Sequence, residues 1–234
     1  YKMFLIIRQA LVVGLLTGGI YGLFAVGLSL IMGIAGIMTF VHGDFLMLAM
    51  YATFLVSEMT GLGIYATIPL VVIIIFLLGM ETYQYLPAVK KILKHSQMKQ
   101  MLYMLGFSYF LQNTVLMIAG AAPRTMKSPI TKYSPTIGGV FISLPRLIAG
   151  FASVVLTLAL MWFLNNTDLG LSIKAVSQNR NAAEMMGVNA HRTYMLAWAI
   201  GLGLLGFAGP MLTPIYSFYP LEGNYYLMIG FMCV

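Results

Sequence analysis

Residues 178–189 read Gln178-Asn179-Arg180-Asn181-Ala182-Ala183-Glu184-Met185-Met186-Gly187-Val188-Asn189, a polar island between two long apolar runs. The island spells a short helix in the grammar of soluble proteins. Asn181 is suited to N-cap it, with Glu184 three places on completing a capping-box-like pair. Ala182 to Met186 wind about one turn, and Gly187 closes it in the left-handed conformation. The expected product is a stub of helix on a membrane surface, presenting Ala182, Ala183 and Met186 as an apolar knob between Arg180 and Arg192. Such a knob suits docking into a groove of a soluble partner.

Outward from the island the chain is mostly hydrocarbon. Hydrophobic residues make up 60% and charged residues 8%, with a mean hydropathy of +0.91, where soluble domains carry roughly a quarter charged residues. Several apolar runs approach the ~20 residues that a spanning helix needs, and only helices or closed barrels satisfy their backbone in lipid. The fold class is therefore all-α: a polytopic membrane bundle forming one domain over residues 1–234, with no room for a soluble domain. The chain starts at Tyr1 and ends in a short apolar run, Leu227 to Val234, and so reads as truncated at both ends. Lys2 and Arg8 precede an apolar stretch that continues too far for a signal peptide and offers no cleavage site, so it reads as a first membrane helix. The net charge of +7 sits in the loops, where it signals topology and not nucleic-acid binding. A single cysteine, Cys233, allows no internal disulfide and no metal cluster.

The first span covers residues 10–32, with Gly14, Gly18 and Gly22 on one face, a spacing that lets another helix approach closely and marks that face as buried in protein. From Gly33 to Ser57 the apolar character is interrupted by Gly36 and by His42-Gly43-Asp44. A lipid-facing Asp44 would cost several kcal/mol, so a break is expected here, with Asp44 capping a half-helix that starts at Phe45. Whether this segment spans or turns back is open. Broken helices in transporters often flank the substrate route, which makes His42, Gly43, Asp44 and Phe45 the substrate-pathway candidates. Two residues apart, His42 and Asp44 would not face one another on a helix, and no metal motif includes them.

Gly61 and Gly63 make a turn, and further spans cover residues 64–84, 101–119, 147–164 and 193–213. The third of these five spans has a polar face of Tyr103, Tyr109, Gln112 and Asn113. Gly201, Gly203, Gly206 and Gly209 thin one face of the last, and Pro210 and Pro214 end it. A proline- and glycine-rich connection from Gly120 to Pro145, including Gly138-Gly139, argues against a helix. After the last span, Tyr216, Tyr219, Tyr225 and Tyr226 fit an interfacial aromatic belt, the alternative being a re-entrant loop around Pro220 and Glu222. A loop opened by Pro87 carries Lys90, Lys91, Lys94 and Lys99. Two crossings place it on the same side as the stub, and with Lys174, Arg180 and Arg192 that side holds seven basic residues. The other holds Arg124, Lys127, Lys132 and Arg146, so the stub is expected in the cytoplasm.

The island resembles the cytoplasmic coupling loop of branched-chain amino acid ABC transporter permeases, in which an acidic residue, Ala-Ala and then Gly-Ile-Asn are usual. Gly36-Ile37-Met38-Thr39-Phe40-Val41-His42-Gly43-Asp44-Phe45 resembles that family's Gly-x-x-Asn-Phe-Ala-His-Gly-Glu/Asp segment, in the right order along the chain. The resemblance implies a permease subunit of an ATP-driven importer for branched-chain or related amino acids, in a bacterial or archaeal inner membrane. Its implied partners are a second similar permease, two ATPase subunits and an extracytoplasmic solute-binding protein, besides membrane lipid; nucleic acid is excluded. It also implies that Asn179, Asn181, Ala182, Ala183, Glu184, Met186 and Gly187 couple to the ATPase. The chain is expected to bind no cofactor, ATP being hydrolysed by partners, and it has no G-x-x-x-x-G-K-[ST]. Asn179 and Asn181 replace commonly acidic residues, and Thr39 a usual Asn. Urea and short-chain amide permeases share both segments and form the alternative.

Two other classes compete. An intramembrane enzyme using His42 and Asp44 as acid and base would need a nucleophile or metal ligands that the sequence does not supply, and a channel would need no coupling stub. Every Lys and Arg falls in a loop or at a helix end, so the expected cargo is a zwitterion or a neutral amide. Free N–H groups near Phe45 and the Tyr51 hydroxyl would receive its polar end, and Met47 and Met50 its apolar tail.

Overall fold

The computed structural model describes residues 2–35, 39–85, 97–126, 136–137, 140–141 and 143–234. Gly36, Pro87, Lys90, Lys91, Lys94, Lys127, Lys132 and Gly138-Gly139 lie outside the described residues. The elements are α1 (Lys2–Ala35), α2 (Val41–Thr60), a 3-10 turn (Ile64–Thr67) leading into α3 (Ile68–Tyr85), and α4 (Gln97–Ala119). A hairpin of β1 (Thr136–Ile137) and β2 (Val140–Phe141) follows, then α5 (Leu144–Asn166), α6 (Asp168–Gln178), α7 (Arg180–Met185), α8 (Ala190–Leu212) and α9 (Glu222–Cys233). Among the described residues, five helices are long and apolar enough to cross a membrane: Ile6–Ile34, Ile64–Gln84, Met101–Ala119, Leu144–Asn166 and Ala190–Leu212.

Local chemistry sets the boundaries. Gly61, at φ 66°, ends α2 in the left-handed conformation, with its N–H bonded to Ser57 O at 2.9 Å. Thr167 caps α6 by accepting from Gly170 N at 3.1 Å, and Asn189 caps α8 by accepting from Arg192 N at 3.1 Å. Pro145 occupies the first turn of α5, where a missing N–H costs nothing. The described residues of the connection, 120–126, 136–137, 140–141 and 143, are not helical, and they include the short β1–β2 pairing.

Helix α8 is the centre of the bundle: 78% of its span is buried, against 17–33% for the other four. Its glycines make this possible, and they serve three neighbours, not one face. A Cβ on Gly201 would lie 2.7 Å from Ile31 of α1, one on Gly206 2.9 Å from Val72 of α3, and one on Gly209 2.6 Å from Ala49 of α2. In α1 the close-packed glycines differ from those expected. Gly14, Gly18 and Gly22 face open space, with nothing within 4 Å of an added Cβ. Gly19 is the one pressed on Ser153 and Gly150, and Gly27 the one on Gly201. The Gly14, Gly18 and Gly22 face expected to be buried is not covered by the rest of the chain, which packs on the neighbouring face of α1.

The two ends of the bundle are distinct. At one, Tyr83 near the end of α3 packs at 5.3 Å, with the rings tilted by 34°, against His191 at the start of α8, beside α7. At the other, Arg124 and Phe218 exchange backbone hydrogen bonds of 2.9 and 3.0 Å, and the Arg124 guanidinium lies 4.8 Å from the Phe54 ring. The tyrosine-rich tail forms a helix, α9. Tyr226 is buried against Tyr21 at 6.2 Å, while Tyr225 is 54% exposed.

Candidate functional site

The segment expected to break at His42-Gly43-Asp44 is helical through those residues. Helix α2 starts one turn earlier, at Val41, after Phe40, which gives no side-chain cap. Asp44 therefore lies inside the first turn and is not a cap. The Phe45 N–H is intrahelical and so is not free to receive a solute, and the Phe45 ring packs in the core. The first turn of α2 sits beside the middle of α1, where His42 Nε2 lies 3.3 Å from Phe24 O. Phe24 is eleven residues before Ala35, the end of α1, or roughly 16 Å back along the helix.

His42 and Asp44 diverge, as their spacing requires. The His42 ring packs edge-on against Phe24 at 4.8 Å. Asp44 turns to α4 and α9: its Oδ1 accepts from Gln112 Nε2 at 2.8 Å, and the same nitrogen lies 3.0 Å from Asn224 Oδ1 and 3.1 Å from Ser108 Oγ. Asp44 is 1%, Gln112 2% and Ser108 5% exposed. Gly43 permits this convergence, because its backbone touches that of Gly223 with no side chain between: a Cβ on Gly43 would come within 2.9 Å of Gly223 C. An acid–base pair of His42 and Asp44 has no geometry here. Among the described residues no three His, Cys, Asp or Glu side chains gather as metal ligands would.

Gln112 stood out in the sequence as an amide in an apolar helix, but its expected companions do not share its face. Tyr103 and Tyr109 are 60% and 57% exposed, and Asn113 folds back to donate to Tyr109 O at 2.7 Å. Ser108, one turn away, and Asn224, in a different helix, are the residues the sequence did not single out. Met47 and Met50 are fully buried in the core, and Tyr51 packs edge-on against Phe218 at 5.1 Å.

At the far end, α7 realises the stub with three corrections. Its cap is Asn179, whose Oδ1 accepts from Ala182 N at 3.1 Å, and not Asn181, which is exposed within the helix. Glu184 does not reach back to the cap; it pairs with Arg180 at 3.0 Å, which holds the Arg180 guanidinium above its ordinary pKa. Gly187 closes the turn at φ 89°, as expected. The knob is composed differently: Ala183 is buried with Val176 and Ala190, and the exposed apolar residues are Ala182, Met185 (87%) and Met186 (85%). Val188 N donates to Ala183 O at 3.0 Å and closes α7 onto the turn that leads into α8.

Residues 10–234 match the family profile described as "Branched-chain amino acid transport system / permease component". The LivH permease of the high-affinity branched-chain amino acid transport system of Salmonella typhimurium is 26% identical over 245 positions, covering 99% of this chain and 76% of LivH. The corresponding BraD protein of Pseudomonas aeruginosa is 23% identical over 214 positions, covering 87% of this chain and 70% of BraD. The nucleoside ABC transporter permease NupC of Lactococcus lactis is 31% identical over 97 positions, 42% of this chain and 29% of NupC. No solved structure matches the chain.

Proposed function

Because this chain belongs to the family of permease components of branched-chain amino acid transport systems, a multi-pass membrane transporter and not an enzyme, we propose that it lines the import route for leucine, isoleucine and valine. It works with a second permease of the same kind, two ATPase subunits that hydrolyse the ATP, and an extracytoplasmic solute-binding protein, in a bacterial or archaeal inner membrane. Helix α7 faces the cytoplasm and docks on an ATPase subunit. The observation that carries this reading is the form of α7: a helix of about one and a half turns, capped by Asn179, stopped by Gly187 and anchored through buried Ala183, that offers Met185 and Met186 to a partner. Methionine is the side chain best able to adapt to a groove. Such rigid anchoring supports transmission of a push from the ATPase into α8, the most buried helix of the bundle.

The start of α2 beside mid-α1, with Asp44, Gln112 and Asn224 converging there, supports a substrate route along the α2–α4–α9 junction. His42 and Phe45 act as buried supports of that wall, Gly43 as its point of closest approach. The reading is tested by affinity purification of the tagged chain from its native membrane. Stoichiometric recovery of an ATPase subunit, lost on replacing Met185 and Met186 by Asp, is expected; recovery undiminished by those changes removes α7 as the dock.

A further inference from the structure

Resting on the reading of the chain as an amino acid permease, we propose that the Asp44–Gln112–Asn224 cluster receives the α-ammonium group of the transported amino acid. The cluster joins three helices, and Asp44, Gln112 and Ser108 are each more than nine-tenths buried. The Gln112 Nε2 has two hydrogens to share among Asp44 Oδ1, Asn224 Oδ1 and Ser108 Oγ. Two buried acceptors remain unpaired: Asp44 Oδ2 and Gln112 Oε1 have no hydrogen-bond partner among the described residues. Nor, among the described residues, does any cation pair with Asp44; the ion pair found among them is Arg180–Glu184.

A carboxylate at membrane depth with no countercharge is costly, and each unmade acceptor bond adds to the cost. A primary ammonium is the complement, bringing one positive charge and three donors with no acceptor of its own. A proton on Asp44 would remove the charge and add a single donor, and a neutral amide would supply donors but no charge. The cluster is within reach of the surface, because Asn224 is exposed and Tyr225 beside it is 54% exposed. One turn on from Asn224 along the same face, Met228 is 71% exposed and suits an aliphatic tail.

The test uses the complete transporter in proteoliposomes with its binding protein. Asp44→Asn keeps the oxygen that accepts from Gln112, removes the charge and turns the Oδ2 acceptor into an N–H donor. Leucine uptake is expected to fall about 10- to 100-fold, as for a lost charge-assisted bond, with the thermal midpoint of the complex unchanged, and Asp44→Glu is expected to recover part of it. Uptake by Asp44→Asn at the wild-type rate overturns the proposal and leaves the cluster as an interhelical staple, while the amino acid assignment stands. A wild-type complex that carries no amino acid overturns both. Should Asp44→Asn fail to assemble, the wild type decides: leucine should slow dicyclohexylcarbodiimide labelling of Asp44 several-fold and 2-hydroxyisocaproate, which lacks the ammonium, should not. Equal protection by the two, or none, overturns the proposal.

Discussion

Gly43 and Gly223 meet backbone to backbone: a Cβ placed on Gly223 would lie 2.8 Å from Gly43 O and 3.0 Å from Asp44 Oδ1. The neighbours are main chain and a buried carboxylate, so no flexible side chain can swing aside to make room. This approach sets Asn224 within reach of Gln112, and with it the depth at which α9 enters the bundle. Replacing Gly43 by Ala should therefore destabilise the bundle by about 1–3 kcal/mol, as overpacking does. Gly43→Leu should abolish uptake, with thermal unfolding in detergent as the check on the first effect and vesicle transport on the second. Normal uptake by Gly43→Leu contradicts a route at this junction.

A contrast between adjacent glycines tests the packing of α1. Gly19 lies where an added Cβ would be 2.9 Å from Ser153 Oγ and 3.3 Å from Gly150 O, whereas Gly18 has nothing within 4 Å. Gly19→Leu should lower the stability of the isolated chain by about 1–3 kcal/mol, and Gly18→Leu should leave it within about 0.5 kcal/mol of wild type. Equal losses in a denaturation series would mean that α1 packs on its other face.

The cap of α7 can be located in the same way. Asn179→Ala removes the oxygen that accepts from Ala182 N and should cost about 0.5–2 kcal/mol of local stability. Asn181→Ala should cost almost nothing. Hydrogen exchange over residues 182–186 reads the difference directly: faster exchange is expected in Asn179→Ala alone, and the reverse order would return the cap to Asn181.

Gly187, at φ 89°, is one of three described residues in the left-handed region, all glycine. A β-branched residue there should carry about 1–3 kcal/mol of backbone strain. Gly187→Val should thus uncouple hydrolysis from transport, with ATPase activity retained and uptake reduced. Uptake per ATP equal to wild type would separate the stub from coupling.

Much of this architecture is readable from the chain because it follows from local rules. The apolar runs at 64–84 and 101–119 fix spans to within a few residues, and Gly61 and Gly187 mark left-handed stops that other residues adopt only with strain. What escapes is whatever depends on a distant partner. Asn179 and Asn181 are equally good caps in isolation; the choice falls to Asn179 because Ala183 then turns inward onto Val176 and Ala190 and Arg180 meets Glu184. Asp44 looks like a cap as long as Gln112, 68 residues away, is out of sight. A glycine stripe shows that a face is smooth but not what covers it, hence the exchange of Gly14, Gly18 and Gly22 for Gly19 and Gly27. Tyr226 and Tyr225 are neighbours of one type, yet one is core and the other surface, a distinction made by α1 and not by composition.

The central claim, that this permease carries branched-chain amino acids, is tested most directly by competitive uptake into vesicles holding the whole transporter and its cognate binding protein. Leucine, isoleucine and valine should enter in preference to urea, lysine and glutamate, and only with ATP on the side that α7 faces. A clear preference for urea or for a charged amino acid would contradict the account.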